Sequence, residues 1–475
     1  MDAPARFGVP REGASEVTDG TPKAVKRLGM SIRMLRRVSL GAATMVMGAL
    51  LMCTAYAAKA PQERAREAVT WLVQEKYEEL EQAASAEVRK IMPAAAMQSQ
   101  IGPFVRSLGK FKQFGEASER AMGASTIVTL RSQFETGAVD FTVTINEAGE
   151  VTGLHLAPVA AWKRPEYSKP DAFIEREVTV GSGEWKLPGT LTLPKSAQPV
   201  AAVVLVHGSG PNDRDETIAG NMPFKDLAEG LASNGIAVLR YEKRTKFYGA
   251  KMLSMRELTV QQESIDDALA GAALLRGLPE IDPKRVFYVG HSLGGYLLPK
   301  LLQQDARAAG GVSMAGCTRP IEELMLEQYE YLIPLQTAGS DAAKVEGQKK
   351  LDEMRQAVAA IRALQPGYED GPAIVGVYPH YWMALRGYDP PAVARTIAQP
   401  MFILQGERDY QVTMVDFANW QKALGGKDSV TLKSYPALNH LFITGQGKST
   451  PSEYGKPGHV AAEAITDIAG WVSRH

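Results

Sequence analysis

Cysteine is nearly absent from this chain: only Cys53 and Cys317 occur among 475 residues. Cys53 falls in a segment that the sequence marks for removal, as described below, so Cys317 is the one thiol expected in the mature protein. A single thiol forms no intramolecular disulfide, and it builds neither a zinc–thiolate cluster nor a redox pair. These classes of protein are therefore excluded.

An excess of charge of either sign is also lacking. Lys and Arg total 53, Asp and Glu total 53, and the body of the chain has no long basic run. Nucleic-acid binding depends on clustered positive charge, so no nucleic-acid partner is expected. The chain has no Walker loop and no G-x-G-x-x-G that opens a helix after a strand, so no organic cofactor is expected. No metal site is predicted, because no set of ligand residues recurs at ligand spacing.

One segment, residues 33–60, has the features of an export signal. Basic residues are followed by about twenty uncharged residues and then by Ala55-Tyr56-Ala57, an A-x-A cleavage pattern. Residues 1–60 are therefore assigned to an N-terminal extension and signal, and the mature protein is expected in the periplasm. An uncleaved membrane anchor is the alternative, since about 20 apolar residues span a bilayer. Lipid attachment at Cys53 is disfavoured because Met52 does not suit that signal.

The remaining chain divides into two predicted domains, within the soft range that its length allows. Residues 61–160 contain helical apolar spacing followed by short alternating strands, which indicates a small α+β domain. Residues 160–180 are rich in proline and charge and suggest a linker. A larger domain is assigned to residues 175–475.

The larger domain alternates apolar strands with amphipathic helices. Strand runs of five or six apolar residues separated by helices indicate a parallel sheet that is covered on both faces, an α/β fold. The alternation stops at residues 318–398, where strong helix patterns predict a helical insertion. The alternating segments before it are AAVVLVHG, FKDLAEGLASNG, IAVLRY, SIDDALAGAALLRG, RVFYVG, YLLPKLLQQ and AGGVSMAG.

A serine stands at the turn between one such strand and its helix, in the stretch RVFYVGHSLGGYLLPKLL. Ser292 is either a helix cap or a nucleophile. The small residues Gly290, Gly294 and Gly295 favour the nucleophile, because a sharp strand-to-helix elbow requires them and a cap does not.

A serine nucleophile needs a base and a group that orients the base. Asp409 follows the strand PMFILQG, and His440 follows the next strand, SVTLKSYP. Loops at the carboxyl ends of parallel strands converge, so Ser292, Asp409 and His440 are predicted to form a catalytic triad. Glu407 is the alternative to Asp409.

The loop after the first long parallel strand contains His207-Gly208-Ser209-Gly210. Its free amides predict an oxyanion hole made by the backbone N–H groups of Ser209 and Leu293. His207 and His291 are interpreted as structural or pocket-lining residues. Salt bridges are expected at Asp213, Arg214 and Asp215, and the aromatic residues of YPHYWM, Tyr378 to Met383, are interpreted as packing or substrate contacts.

Together these stretches resemble the bacterial two-domain serine esterases of the α/β-hydrolase superfamily, whose N-terminal domain of unknown function resembles the nuclear transport factor 2-like fold. The matching stretches are HGSGPNDRDET, VLRYEKRT, GHSLGGYL, LQGERDYQV and YPALNHLF.

The resemblance implies an α/β-hydrolase fold with a helical lid and hydrolysis of small or medium acyl esters, with Ser292 as nucleophile, His440 as base and Asp409 as its partner. A peptidase of the acylaminoacyl type and a non-catalytic envelope binding protein are the alternatives. Dienelactone hydrolases usually have a cysteine nucleophile, and the serine at position 292 argues against that activity.

Overall fold

The computed structural model describes residues 59–122, 125–135, 137–159, 162–337, 341–368 and 370–475. The extension and nearly all of the predicted export signal lie outside these ranges. Within them, no helix is both long and apolar enough to cross a bilayer.

Among the described residues, five short helices and a four-stranded antiparallel sheet form the N-terminal part. Its sheet has the order β1-β2-β3-β4, and buried residues alternate with half-buried ones along β3 and along β2 from Val128 onward. Apolar side chains such as Leu130 and Phe141 pack against Leu72 of the first helix. The elements are α1 (Pro61–Val73), α2 (Tyr77–Ala83), α3 (Ala86–Ile91), α4 (Ala94–Gln100), α5 (Gly102–Ser107), β1 (Phe111–Met122), β2 (Ser125–Phe134), β3 (Ala138–Asn146) and β4 (Val151–Val159).

The larger part contains an eight-stranded sheet and eleven helices within the described ranges. The strands are β5 (Phe173–Val180), β6 (Leu187–Pro194), β7 (Val200–Val206), β8 (Ala237–Tyr241), β9 (Ile281–His291), β10 (Gly310–Met314), β11 (Met401–Gly406) and β12 (Val430–Tyr435). The helices are α6 (Pro223–Ala232), α7 (Arg244–Phe247), α8 (Gly249–Leu253), α9 (Asp266–Arg276), α10 (Leu293–Gln304), α11 (Ile321–Thr337), α12 (Asp341–Ala363), α13 (Pro379–Leu385), α14 (Pro390–Thr396), α15 (Met414–Leu424) and α16 (Ala462–Arg474).

The sheet has the strand order β12-β11-β10-β9-β7-β8-β6-β5. Strands β7 to β12 pair in parallel, whereas β6 is antiparallel to both β5 and β8. The α/β fold predicted from the sequence, with a mostly parallel sheet, is confirmed. All parallel strands end on the same edge, so the loops after β7, β8, β9, β11 and β12 meet there.

Apolar cores lie on both faces of this sheet. Neighbouring residues of the buried strand β7 contribute to opposite cores: Val204 packs with α9 and α10, and Leu205 packs with α6 and α16. A strand that is buried on both faces reads as a continuous apolar run, which is why β7 and β9 are conspicuous in the sequence.

Helices α11 to α14 lie between β10 and β11, in the region where the sequence predicts the helical insertion. This insertion is called the lid below.

The segment interpreted as a linker, residues 160–180, contains a strand. Residues Phe173–Val180 form β5 at the edge of the large sheet, paired with β6 over its full length. An edge strand has one partner and a mostly exposed face, so its side chains are polar and its alternation is weak. The linker interpretation, which relied on proline and charge, is therefore wrong for the part of the segment that forms this edge strand.

Candidate active site

Ser292 lies in a strained turn between β9, which ends at His291, and α10, which begins at Leu293. Its backbone has φ +53° and ψ −112°, a region that side-chain-bearing residues rarely adopt and that costs about 1–3 kcal/mol. Its side chain makes no capping hydrogen bond to α10. The conformation thus serves no helix cap, and it places the hydroxyl on the wall of a pocket.

Two glycines make this turn possible. A Cβ on Gly290 would lie 2.3 Å from the carbonyl oxygen of Gly294, and a Cβ on Gly294 would lie 2.1 Å from the carbonyl oxygen of Val206. Contacts between heavy atoms this short are prohibitive, so any side chain at either position would push the helix away from the sheet. The glycines of the G-x-S-x-G motif are therefore required by backbone packing.

Asp409 and His440 form a buried hydrogen-bonded pair. His440 Nδ1 lies 2.6 Å from Asp409 Oδ2, and both residues are less than 5% exposed. The other carboxylate oxygen, Oδ1, accepts the backbone N–H groups of Gln411 and Val412 at 2.7 and 3.0 Å. A carboxylate held on both oxygens fixes the orientation of the imidazole and requires the proton of His440 to sit on Nδ1, so Nε2 is left as the acceptor.

His440 lies beside the turn that carries Ser292. The ring centroids of His291 and His440 are 4.7 Å apart, and His291 Nε2 lies 2.9 Å from the carbonyl oxygen of His440. Among the described contacts there is no hydrogen bond between Ser292 and His440. Such bonds in enzymes without substrate are commonly long and shorten when substrate binds.

The alternative carboxylate, Glu407, faces away from this pair. It accepts a hydrogen bond from the Ser434 hydroxyl at 2.8 Å and is exposed. The structure thus brings Asp409, and not Glu407, to His440.

Ser209 and Leu293 line the same pocket as Ser292. Within the described residues, neither N–H group donates a hydrogen bond. A Cβ on the neighbouring Gly208 would lie 3.2 Å from Ser292 Cβ, so the loop after β7 lies directly against the serine. Free donors beside a serine are the arrangement that an oxyanion hole needs.

Both backbone polar groups of Gly208 are held by hydrogen bonds. Its N–H donates to Glu216 Oε1 at 2.6 Å, and its carbonyl oxygen accepts a hydrogen bond from Lys243 Nζ at 2.7 Å. In a trans peptide the C=O of one residue and the N–H of the next point in opposite directions. Lys243, by holding the Gly208 carbonyl, therefore aims the Ser209 N–H away from itself and fixes the direction of that donor.

Lys243 also connects this loop to the lid. Its ammonium group donates to Glu263 Oε1 at 2.6 Å, and Glu263 Oε2 accepts the hydroxyl of Tyr381 on α13 at 2.6 Å. Lys243 is 1% exposed and Glu263 is 6% exposed. Each buried charge is stabilised by the other, because an unpaired charge at such a site is strongly destabilising.

We expect Lys243→Met to lower kcat about 10-fold or more with a small change in KM, because the Ser209 donor loses its orientation. The variant should also lose about 3–5 kcal/mol of stability, since Glu263 is left unpaired. The double variant Lys243→Met/Glu263→Gln removes the unpaired charge and keeps an acceptor for Tyr381. It should regain most of the melting temperature and keep the kcat defect; recovery of kcat together with stability would show that Lys243 has no orienting role.

His207 and His291 are buried, and their contacts hold neighbouring loops together. His207 packs against Phe224 and Tyr241 and donates to the Asp213 carbonyl, and burial lowers its pKa to about 4, so it is neutral near pH 7. Burial also lowers the pKa of His291, but the Glu216 carboxylate 2.8 Å from its Nδ1 outweighs burial, so the net pKa is raised. His291 and Glu216 thus join the loop after β7 to the loop of His440.

The pocket in front of Ser292 has a volume of about 510 Å³. The lid contributes most of its roof, through residues of α11 and the turn before α13, and Tyr381 and Trp382 of the YPHYWM stretch contact it as well. Cys317 also lines the pocket, where burial raises its pKa well above the usual value and keeps it a neutral thiol. Tyr381 and Trp382 therefore both pack in the core and line the pocket.

The three charged residues predicted to form a local salt-bridge network do not pair with each other, and two of them, Arg214 and Asp215, pair with other elements. Arg214 bridges Glu177 on β5 and Glu242 after β8, and Asp215 pairs with Arg240 on β8. Asp213 accepts backbone N–H groups within its own loop. These bonds anchor the loop that contains Ser209. In the described ranges, no cluster of three or more His, Cys, Asp or Glu side chains is arranged to hold a metal ion.

Sequence reasoning missed Lys243, Glu263 and Glu216 as parts of the site. Lys243 and Glu216 fall within the quoted stretches VLRYEKRT and HGSGPNDRDET, but a charged residue after a strand is usually solvated, and only the folded chain shows that these are buried. Glu263 lies in a single π-helical turn, residues Gln261–Ile265, whose sequence has no distinguishing pattern.

Comparisons with known proteins identify the family. Residues 203–447 match a family model described as the alpha/beta hydrolase family, and residues 65–154 match one described as a protein of unknown function (DUF3887). The chain is similar to the esterase EstD of Thermotoga maritima, with 35% identity over 406 residues that cover 85% of this chain and 93% of that protein.

More distant similarity links the chain to solved structures. An esterase of Pyrococcus furiosus shares 16% identity over 67% of this chain and 96% of that chain, with a TM-score of 0.41. An acylaminoacyl peptidase of Pyrococcus horikoshii shares 15% identity over 77% of this chain and 56% of that chain, with a TM-score of 0.41.

Proposed function

Because the chain belongs to the α/β-hydrolase family, we propose that it is a serine carboxylesterase that hydrolyses small or medium acyl esters through an acyl-enzyme intermediate. The observation that carries the proposal is the buried Asp409–His440 pair beside the strained turn of Ser292. The similarity to an esterase over most of both chains supports the same reaction class.

In the first half of the reaction, Ser292 Oγ attacks the ester carbonyl while His440 Nε2 takes the hydroxyl proton. The carbonyl oxygen becomes an oxyanion, which the N–H groups of Ser209 and Leu293 stabilise. The carboxylate of Asp409 stabilises the imidazolium that forms. The tetrahedral intermediate collapses, the alcohol leaves with the proton from His440, and the acyl group remains on Ser292.

In the second half, His440 takes a proton from a water molecule, which attacks the acyl carbonyl. The oxyanion forms again in the same hole, and collapse of the intermediate releases the carboxylic acid and returns the proton to Ser292. Every step uses side chains or amides that lie within the described residues, and no step needs a cofactor.

The size and lining of the pocket favour acyl groups of small or medium length. Its volume of about 510 Å³ lies in the range of sites for drug-sized molecules, and its lid face carries apolar residues such as Leu324, Met325 and Trp382. An apolar wall binds an acyl chain by excluding water from it.

A comparison of kcat/KM for a series of p-nitrophenyl esters, from acetate to dodecanoate, with kcat/KM for N-acetylated aminoacyl p-nitroanilides tests the proposal. We expect the best ester to have a chain of small or medium length and to exceed the best amide at least 100-fold. A preference for the amides would favour the acylaminoacyl peptidase. No turnover of either series by folded protein would favour a non-catalytic binding protein of the envelope.

We also propose that the enzyme acts in the periplasm after export. The support is the basic segment, apolar run and A-x-A pattern within residues 33–60. Cell fractionation with mass measurement of the mature N-terminus tests it: cleavage after Ala57 and a periplasmic location are expected, whereas an uncleaved chain in the membrane fraction would identify an anchor.

A further inference from the structure

The N-terminal sheet contributes a side chain to the pocket. Arg120, near the end of β1, lines the same pocket as Ser292 and Ser209, although these residues lie far from it along the chain. Strand β1 contacts α8, and Gly249 and Met252 of α8 also line the pocket. The contact between β1 and α8 therefore holds the backbone of Arg120 close to the pocket.

A second pair of residues indicates the same arrangement. The pKa of Arg131 on β2 is raised mainly by its hydrogen bonds with Asp140, and the carboxylate of Asp213, in the loop that contains Ser209, also raises it. The N-terminal sheet thus lies close to the loop after β7 as well as to α8.

Arg120 is an exposed residue whose charge has no partner at the pocket. Among the described residues that line the pocket, only Arg120 and Glu263 are charged, and both oxygens of Glu263 are occupied by Lys243 and Tyr381. Within the described residues, the side chain of Arg120 forms no hydrogen bond, ion pair or ring contact. The pocket therefore presents one unpaired guanidinium opposite mostly apolar walls.

A guanidinium stays protonated at all physiological pH values, and its planar fork of donors matches the two oxygens of a carboxylate. We propose that Arg120 binds a carboxylate on the substrate, so that the enzyme prefers esters whose acyl or alcohol part carries a carboxylate, and that the N-terminal domain supplies this selectivity. The inference rests on the proposed function and specifies the substrate class of that same site.

Two matched pairs of esters test the inference. Mono-p-nitrophenyl adipate and p-nitrophenyl hexanoate differ at the end of an acyl chain of equal length, and 3-carboxyphenyl hexanoate and phenyl hexanoate differ in the alcohol. For each pair the measured quantity is the ratio of kcat/KM for the anionic ester to kcat/KM for the neutral ester. We expect Arg120→Gln to lower this ratio about 10-fold for at least one pair and to leave the neutral esters within about twofold.

Two control variants separate a specific contact from a general effect of charge. Arg120→Lys keeps a cation but loses the planar fork of donors, so it should retain only part of the preference. Arg89→Gln removes the same charge from an exposed position on α3 of the same domain and should change neither ratio. Raising the salt concentration should weaken the preference of the wild type, because salt screens charges in contact with solvent.

The inference is overturned if neither ratio changes in folded Arg120→Gln, or if Arg89→Gln lowers the ratios equally. These results are distinct from failure of the proposed function, which would appear as no hydrolysis of any neutral ester by the wild type.

Discussion

Ser292→Ala is expected to lower kcat for an ester by about 10⁵- to 10⁶-fold, which is the effect of removing the nucleophile from a complete triad. The residual rate should come from the amides of Ser209 and Leu293 and from binding alone. Thermal unfolding should be nearly unchanged, because the hydroxyl of Ser292 makes no hydrogen bond among the described residues.

A second substitution at position 292 tests the backbone strain as well as the role of the hydroxyl. Ser292→Gly removes the nucleophile and also allows the positive φ without steric cost, so it should be inactive and more stable than wild type by about 1 kcal/mol. A wild-type level of turnover in either variant, with contaminating esterases excluded by a parallel purification, would disprove the assignment of Ser292.

Asp409→Asn is expected to lower kcat about 10⁴-fold with a small change in KM. An amide in place of the carboxylate can donate to His440 Nδ1, so the imidazole proton moves to Nε2, where it blocks removal of the serine proton. The carboxylate that stabilises the imidazolium is lost as well.

Glu407→Gln is the matched control, because it neutralises the other carboxylate of the same loop. Glu407 is exposed and bonded to Ser434, so kcat should stay within about twofold of wild type. If Glu407→Gln caused the larger loss, the orienting carboxylate would be Glu407. Equal losses would indicate that both changes act through the loop and not through the imidazole.

The elements that could be predicted from sequence are those buried on both faces. Strand β7 is an uninterrupted apolar run, and β9 from Val286 and β11 from Met401 each contain at least four consecutive apolar residues; each strand leads into a loop with a chemically distinctive residue. Because parallel strands end at one edge, the sequence alone predicts that their loops lie together. The lid was predictable as helix, since α11 and α12 carry long helical patterns.

Edge strands were not predictable in the same way. Strand β1, at the edge of the small sheet, has a polar sequence with register shifts against β2, and β5 is charged on its exposed face. Pairing along one side only leaves little apolar pattern to detect.

The contacts between distant segments were also not predictable. No local pattern indicates that Lys243 turns inward to hold the Gly208 carbonyl, or that Tyr381 of the lid reaches Glu263. Arg120 has the sequence of an ordinary solvated residue, and its place on the pocket depends on how the two parts of the chain pack. The sequence alone indicates the strand-end loops of the site. The residues that orient these loops, and the residue proposed to select the substrate, are recognised only in the tertiary structure.

Labelling with a fluorophosphonate probe, followed by digestion with trypsin and mass spectrometry, tests the central claim most directly. Trypsin should release residues 286–300 as one peptide in which Ser292 is the only serine. We predict one probe adduct per chain, located on Ser292 within that peptide, absent from Ser292→Ala and strongly reduced in Asp409→Asn. An adduct on another residue of an active preparation, or hydrolysis of esters by protein that the probe neither labels nor inhibits, would contradict the serine mechanism.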